Sequence, residues 1–143
     1  MLVAALRGSA PAARRRAREL LEFVGLADQV NEPAGELSYG QQRLLELAAV
    51  LMGEPRLILL DEPTAGINPV LVDQLLAGLR EINRRGVTIV LIEHNMEAVM
   101  TLSGRMYALA MGQKIAEGAP AEVRDNVAVL EAYFGAGRIG ARR

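Results

Sequence analysis

Two adjacent acidic residues, Asp61 and Glu62, follow directly on a short apolar run, Leu57 to Leu60. A carboxylate in this position can hold Mg²⁺ beside the phosphates of a nucleotide, directly or through water. A second carboxylate can orient an attacking water molecule or take its proton. Asp61 and Glu62 are therefore candidates for a metal-binding residue and a general base. Two acids at an exposed strand end would give the same pattern.

A second candidate site is the start of a helix at Ser38. Ser38 and Gln41 have the spacing of a capping box, so the helix start is well defined. Unpaired N–H groups and the positive end of the helix dipole favour a phosphate there, and Gly40 lets the backbone approach closely. Every capped helix shares this geometry, so an ordinary structural cap is the alternative.

The third candidate is His94, the single histidine of the chain. It follows a second apolar run, Val87 to Ile92, with Glu93 in between. An imidazole at the end of a strand could hydrogen-bond a terminal phosphate, although a lone histidine is often structural. Its position after a strand, like that of Asp61, favours a functional role.

Apolar spacing predicts the elements that would position these groups. Helices are expected over Arg14 to Val24, from the Ser38 cap to Gly53, and from Asn68-Pro69 to Gly86. The two apolar runs are predicted to be strands buried on both faces of a parallel sheet. Strand, helix and strand form a βαβ unit with a right-handed crossover. Asp61-Glu62 and Glu93-His94 should then lie at the same carboxyl edge of the sheet.

The remaining part of the chain predicts smaller elements. A short helix should begin at Asn95, and a hairpin should join Met106 to Met111 with Lys114 to Glu117 through Gly112-Gln113. Two closing helices are expected at Pro120 to Arg124 and Val127 to Phe134. The glycine- and arginine-rich tail, Gly135 to Arg143, is expected to fray.

Composition excludes several classes of protein. The 143 residues include 16 basic and 17 acidic side chains, with a net charge of -1, so a basic nucleic-acid surface is absent. The absence of cysteine excludes disulfides and thiolate metal sites. No apolar run is long enough to span a bilayer, so the chain is expected to be soluble, or peripheral to a membrane through a partner.

Three segments resemble the ATP-binding-cassette (ABC) ATPases in motif and in order. The signature motif is resembled by LSYGQQR, at Leu37 to Arg43. The Walker B strand with its D-loop is resembled by LILLDEPTAGINP, at Leu57 to Pro69. The segment around the switch histidine is resembled by LIEHNMEAVM, at Leu91 to Met100. Four details resemble, more narrowly, the ATP-binding subunits of branched-chain amino acid importers. They are the tyrosine of the signature, GINP in the D-loop, EHNM around the histidine, and the ending IAEGAPAEVRDN…VLEAYFG. The resemblance extends from Met1 to Gly135.

This resemblance implies a P-loop NTPase-like (RecA-like) α/β fold, with a parallel sheet and flanking helices. It implies that Asp61 holds Mg²⁺ through water, that Glu62 is the catalytic base and that His94 senses the γ-phosphate. The signature residues would contact ATP held by the opposite subunit of a head-to-tail dimer, and the D-loop would lie at that interface. The signature residues are Ser38, Tyr39, Gly40 and Gln41, and those of the D-loop are Ala65, Gly66, Ile67 and Asn68.

A P-loop requires the pattern Gly-x-x-x-x-Gly-Lys-Ser/Thr, and the single lysine, Lys114, is followed by Ile115. An N-terminally truncated ATPase is therefore expected, which would bind ATP and Mg²⁺ only with a P-loop from another segment or subunit. Its parts would be the remainder of a helical subdomain (1–36), the signature helix with the C-terminal half of the ATPase core (37–118), and closing helices with the tail (119–143).

The expected partners are a second ATP-binding subunit, in a homo- or heterodimer, membrane permease subunits and a P-loop-containing N-terminal half. The chain would be cytoplasmic and peripheral to the inner or plasma membrane. One alternative is a catalytically incompetent module that donates only its signature face to a partner ATPase. Another is an inert gene fragment. Cassette ATPases of DNA repair are disfavoured by the importer-like ending.

Overall fold

The computed structural model describes residues 10–134, which form two compact units, 10–94 and 95–134. The tail expected to fray, Gly135 to Arg143, lies outside the described residues. The division by motif into 1–36, 37–118 and 119–143 stays a prediction, because compactness alone does not define functional parts.

Three helices of the first unit confirm the predicted apolar periodicity. They are α1 (Pro11–Phe23), α2 (Tyr39–Leu51) and α3 (Pro69–Arg84), with short 3₁₀ turns at Ala27–Gln29 and Ala34–Glu36 between the first two. Gly25, with φ of +70°, turns the chain after α1. Its left-handed conformation lets the N–H of Leu26 donate to the Leu21 carbonyl at 2.7 Å, which satisfies a carbonyl at the helix end.

Two parallel strands, β1 (Leu57–Asp61) and β2 (Thr88–Ile92), are joined by α3. The predicted βαβ unit is thus confirmed. Leu57 pairs with Thr88 and Asp61 with Ile92, so both strands end at the same edge. The core on which they rest is formed by apolar side chains of the three helices, of which Leu44 and Leu79 are among the most deeply buried.

One face of the two strands is open within residues 10–94, although their apolar sequence calls for cover on both faces. Leu57, Leu59, Val90 and Ile92 are 52%, 71%, 50% and 62% exposed, whereas Ile58 is buried. Alternate residues of a strand point to opposite faces, so the four exposed side chains share one face. Within residues 10–94, core packing covers only the face that carries Ile58. We call the four exposed residues the open sheet face.

The second unit contains a short helix, a hairpin and two closing helices. These are α4 (Met96–Leu102), antiparallel β3 (Met106–Ala110) and β4 (Gln113–Gly118), α5 (Pro120–Arg124) and α6 (Val127–Phe134), which confirms the predicted elements. The turn lies one residue earlier than expected, at Met111-Gly112, because both residues have positive φ and Gln113 already belongs to β4. The buried core of the second unit is formed by Ala108, Val123 and Val129.

In the hairpin, hydrogen bonds from Lys114 and Arg105 lower the pKa of Glu117 to about 2. Among residues 10–134, no helix is long and apolar enough to cross a membrane.

Candidate functional site

The predicted carboxyl edge is formed as expected by the ends of β1 and β2. Asp61 lies opposite Ile92, and the N–H of Glu62 donates to the Ile92 carbonyl at 2.8 Å, which extends the pairing by one residue. Strand β2 ends at Ile92, and the next two residues along the chain are Glu93 and His94. The structure therefore brings together the acidic pair and the histidine that the sequence singled out separately.

Glu62 and His94 face each other across this edge. Oε1 of Glu62 lies 3.5 Å from Nδ1 of His94, and the two side chains are 53% and 68% exposed. A carboxylate can accept a proton, and an imidazole can donate a hydrogen bond or take a proton near neutral pH. Because both groups are open to solvent, they could act on a water molecule or a phosphate that lies beside the pair.

Glu62 has an unusual backbone conformation for a residue with a side chain. Its φ is +44°, in the left-handed region that costs a non-glycine residue about 1–3 kcal/mol. The conformation is held by the bond from Glu62 N–H to Ile92 and by one from the Ala65 N–H to the Glu62 carbonyl, at 3.1 Å. Such strain is found where the surrounding structure aims a functional side chain, which supports a role for Glu62.

The sequence did not assign Thr64 or Glu93, and the structure connects them. Oε1 of Glu93 accepts hydrogen bonds from the Thr64 N–H at 2.9 Å and from its hydroxyl at 2.5 Å. Oε2 accepts from the His94 N–H at 3.1 Å. Thr64 is a buried polar residue in the loop that follows Glu62. The available signal was a carboxylate at the strand end directly before the single histidine.

The helix start at Ser38 has the predicted capping box. The Ser38 N–H donates to the Gln41 side chain at 2.9 Å, and the Gln41 N–H donates to the Ser38 hydroxyl at 3.4 Å. Both residues bond within the helix start, and Ser38 and Tyr39 are exposed. The geometry suits either a structural cap or a phosphate site, as the sequence predicted.

Gly40 packs against the loop that resembles a D-loop. A Cβ at position 40 would lie 2.6 Å from Cδ1 of Leu71 and 3.0 Å from Cγ2 of Ile67. The missing side chain thus makes room for apolar groups of this same chain. The close approach of a phosphate to Gly40 stays a prediction.

Tyr39 makes a second contact between the same two segments. A Cβ atom added at Gly66, whose φ is +72°, would lie 3.3 Å from the edge of the Tyr39 ring. Arg43 lies over the Tyr39 ring and donates to its hydroxyl at 2.8 Å. Bonds to Glu46 and Tyr39 raise the pKa of Arg43 above its ordinary value. Tyr39 is therefore held in place from two sides.

Asn68 completes this region. Its side-chain oxygen accepts from the Leu71 N–H at 3.0 Å and caps α3, as the sequence predicted. The predicted signature and D-loop residues thus lie in contact with each other within one chain, beside the edge-forming strands.

We expect Gly40→Ala to destabilise the first unit, because the new methyl group has no space beside Ile67 and Leu71. Overpacking of this kind costs about 1–3 kcal/mol of the free energy of unfolding. Gly35→Ala is the matched control, since nothing lies within 4 Å of its Cβ position. Urea titrations of the two variants would measure the difference. Equal stabilities would contradict the tight packing at Gly40.

The residues at the edge fit a magnesium ion that is shared with a nucleotide. Within the described range 10–134, no group of three or more His, Cys, Asp or Glu side chains could form an all-protein metal site. Magnesium bound with a nucleotide needs only one or two carboxylates, because phosphate and water oxygens complete its octahedron. Asp61 is exposed and supplies an oxygen ligand of the required kind.

Two family models match the chain. One is the ABC transporter model, over residues 3–65, and the other is the model of the branched-chain amino acid ATP-binding cassette transporter, over residues 113–138.

Curated relatives give the same result. The high-affinity branched-chain amino acid transport ATP-binding protein BraF of Pseudomonas aeruginosa is 42% identical over an alignment of 133 residues, and the match covers 87% of this chain and 52% of BraF. LivG of Escherichia coli, with the same description, is 43% identical over an alignment of 123 residues, and the match covers 84% of this chain and 48% of LivG. The chain spans about half the length of the curated relatives it matches.

Solved structures share the fold. The ADP conformation of MJ1267, an ATP-binding cassette of an ABC transporter, superposes with a TM-score of 0.80 at 34% identity, covering 89% of this chain and 52% of that one. A nucleotide-free ATP-binding cassette from an ABC transporter gives 0.79 at 32% identity, with 88% and 51% covered. The fold and the edge residues therefore define the class, an α/β ATP-binding cassette. The chain matches the ABC transporter family model over part of its length and is related to branched-chain amino acid transport ATP-binding proteins.

Proposed function

We propose that this chain forms part of the ATP-binding subunit of an ABC importer for branched-chain amino acids, and that the subunit energises transport by hydrolysing ATP. The observation that carries the proposal is the pairing of Glu62 with His94, 3.5 Å apart at the shared end of β1 and β2. The relatives named above support the solute class.

In this proposal each edge residue has a separate task. Glu62 accepts a proton from water through its carboxylate, which its left-handed backbone directs toward His94. His94 hydrogen-bonds the terminal phosphate, and Asp61 holds the hydration shell of Mg²⁺. The metal supplies positive charge beside the phosphates.

The signature face would contact a second ATP-binding subunit, identical or different. Ser38 and Tyr39 are exposed at a helix start, where N–H groups and the helix dipole favour a phosphate of the partner's nucleotide. The contact of Tyr39 with Gly66 would join this face to the D-loop, Ala65 to Asn68. Permease subunits would hold the dimer at the cytoplasmic side of the membrane.

The open sheet face is proposed to receive a segment that carries the P-loop. Strands that are apolar on both sides belong inside a sheet that is covered on both sides, and one side is uncovered in residues 10–94. The relatives are about twice as long as the matched region, so they contain further chain that could fill this place.

The isolated chain should bind MgATP only weakly, because the affinity of P-loop proteins comes largely from the P-loop backbone and its lysine. Calorimetric titration with MgATP would measure this, first alone and then after addition of a separately expressed P-loop segment from a relative. We expect tight binding and ATP hydrolysis only in the mixture. Micromolar binding by the chain alone would reveal an unrecognised nucleotide site. A mixture without hydrolysis would favour the binding module that donates only its signature face.

A further inference from the structure

A single carboxylate, that of Glu93, connects the loop after Glu62 with the backbone of His94. One oxygen accepts both donors of Thr64, at 2.9 and 2.5 Å, and the other accepts the His94 N–H at 3.1 Å. Hydrogen bonds to a charged acceptor are stronger than those between neutral groups. Glu93 is half-buried and Thr64 is buried, so these bonds are partly shielded from water.

The position of Thr64 explains why this connection matters for Glu62. Thr64 is two residues beyond Glu62, whose left-handed φ of +44° must be maintained against strain. The preceding side of Glu62 is fixed by its N–H bond to Ile92, at 2.8 Å. The bonds from Thr64 to Glu93 fix the following side. Both anchors belong to β2 or its continuation, which also carries His94.

We propose that Glu93 is a positioning residue, which holds the Glu62 carboxylate beside the His94 imidazole through Thr64. Its importance for ATP hydrolysis rests on the proposed function, whereas the positioning itself does not. If Glu93 is removed, the loop loses its anchor on β2, and Glu62 is free to relax from the left-handed conformation. The distance from Glu62 Oε1 to His94 Nδ1 would then no longer be fixed near 3.5 Å.

The single histidine allows a direct test on the full chain without nucleotide. Selective ¹³C labelling gives one ring Cε1–H signal in NMR, which needs no further assignment. Glu62→Gln should shift this signal in the wild-type background, because the Glu62 carboxylate lies close to the ring. In the Glu93→Ala background, Glu62→Gln should shift the His94 signal much less. An equal shift in both backgrounds would overturn the proposal.

The amide of Thr64 gives a second, independent measurement. Loss of a charged acceptor should speed its hydrogen exchange by about tenfold or more in Glu93→Ala. Glu93→Gln keeps an oxygen that can accept from Thr64, so it should retain most of the Glu62–His94 coupling. Unchanged exchange of Thr64 in Glu93→Ala would count against the proposal.

Two controls separate positioning from a general loss of stability. Glu97→Gln removes an exposed negative charge three residues beyond His94 and should leave both measurements unchanged. Thr64→Val deletes the hydroxyl donor and Thr64→Ser keeps it, so only the valine variant should weaken the coupling. The same weakening in Thr64→Ser and Thr64→Val would refute a role of the hydroxyl bond. Because nucleotide is absent throughout, failure of the ATPase proposal would leave these results unaffected.

Discussion

Glu62→Gln is expected to reduce ATP turnover by about a hundredfold or more while leaving nucleotide binding nearly unchanged. Glutamine keeps the size and hydrogen bonding of the side chain, but it cannot accept the proton of an attacking water. The neutral side chain also removes the charge that lies 3.5 Å from His94. Turnover and MgATP affinity would be measured together, with the P-loop segment supplied.

Glu131→Gln is a suitable control for this experiment, since it removes an exposed carboxylate from α6 in the second unit. It should retain wild-type turnover. Turnover that persists in Glu62→Gln would show that Glu62 is not the base and would leave Asp61-Glu62 as an acidic strand end. A parallel loss of affinity would assign Glu62 to ground-state binding instead.

The second large effect is expected at the open sheet face. Leu59 lies at the centre of β1 and, at 71%, is the most exposed of the four residues of the open sheet face. Burying a leucine side chain contributes about 1.5–3 kcal/mol, so Leu59→Lys should weaken any association through this face by roughly tenfold to a hundredfold. The wild-type chain should self-associate when alone and bind the P-loop segment when it is present.

Light scattering at several concentrations, with and without the P-loop segment, would measure both associations. Val50→Lys is the matched control, because Val50 is 47% exposed on α2 and lies outside the open sheet face. It should leave both associations intact. A monodisperse wild-type monomer that binds no apolar dye would refute the prediction and would make the first unit self-sufficient. Equal weakening by both lysine variants would point to a nonspecific apolar effect.

The sequence predicted the local elements of this protein well, because their signals lie within a few neighbouring residues. The Ser38 capping box, the Asn68 cap of α3 and the apolar periods of the helices all agree with the structure. The meeting of Asp61-Glu62 with Glu93-His94 was also predictable, since parallel strands joined by a helix end at the same edge. The family followed from the order of three short motifs.

Other features depended on contacts between distant positions. The apolar runs indicate that both strand faces need cover but do not show what covers them, and residues 10–94 leave Leu57, Leu59, Val90 and Ile92 exposed. The sequence could not show that folding places Ile67 and Leu71 in the space of the missing side chain of Gly40, and the approach of a phosphate there stays a prediction.

The link through Glu93 was likewise decided by the tertiary structure alone. Thr64 and Glu93 are 29 residues apart and meet only because β1 and β2 pair in one register. A shift by one residue would turn every strand side chain to the other face. The sequence therefore determined which groups could do chemistry and at which strand ends they stand. Packing and register decided which partners hold them, because those contacts join residues that no local pattern relates.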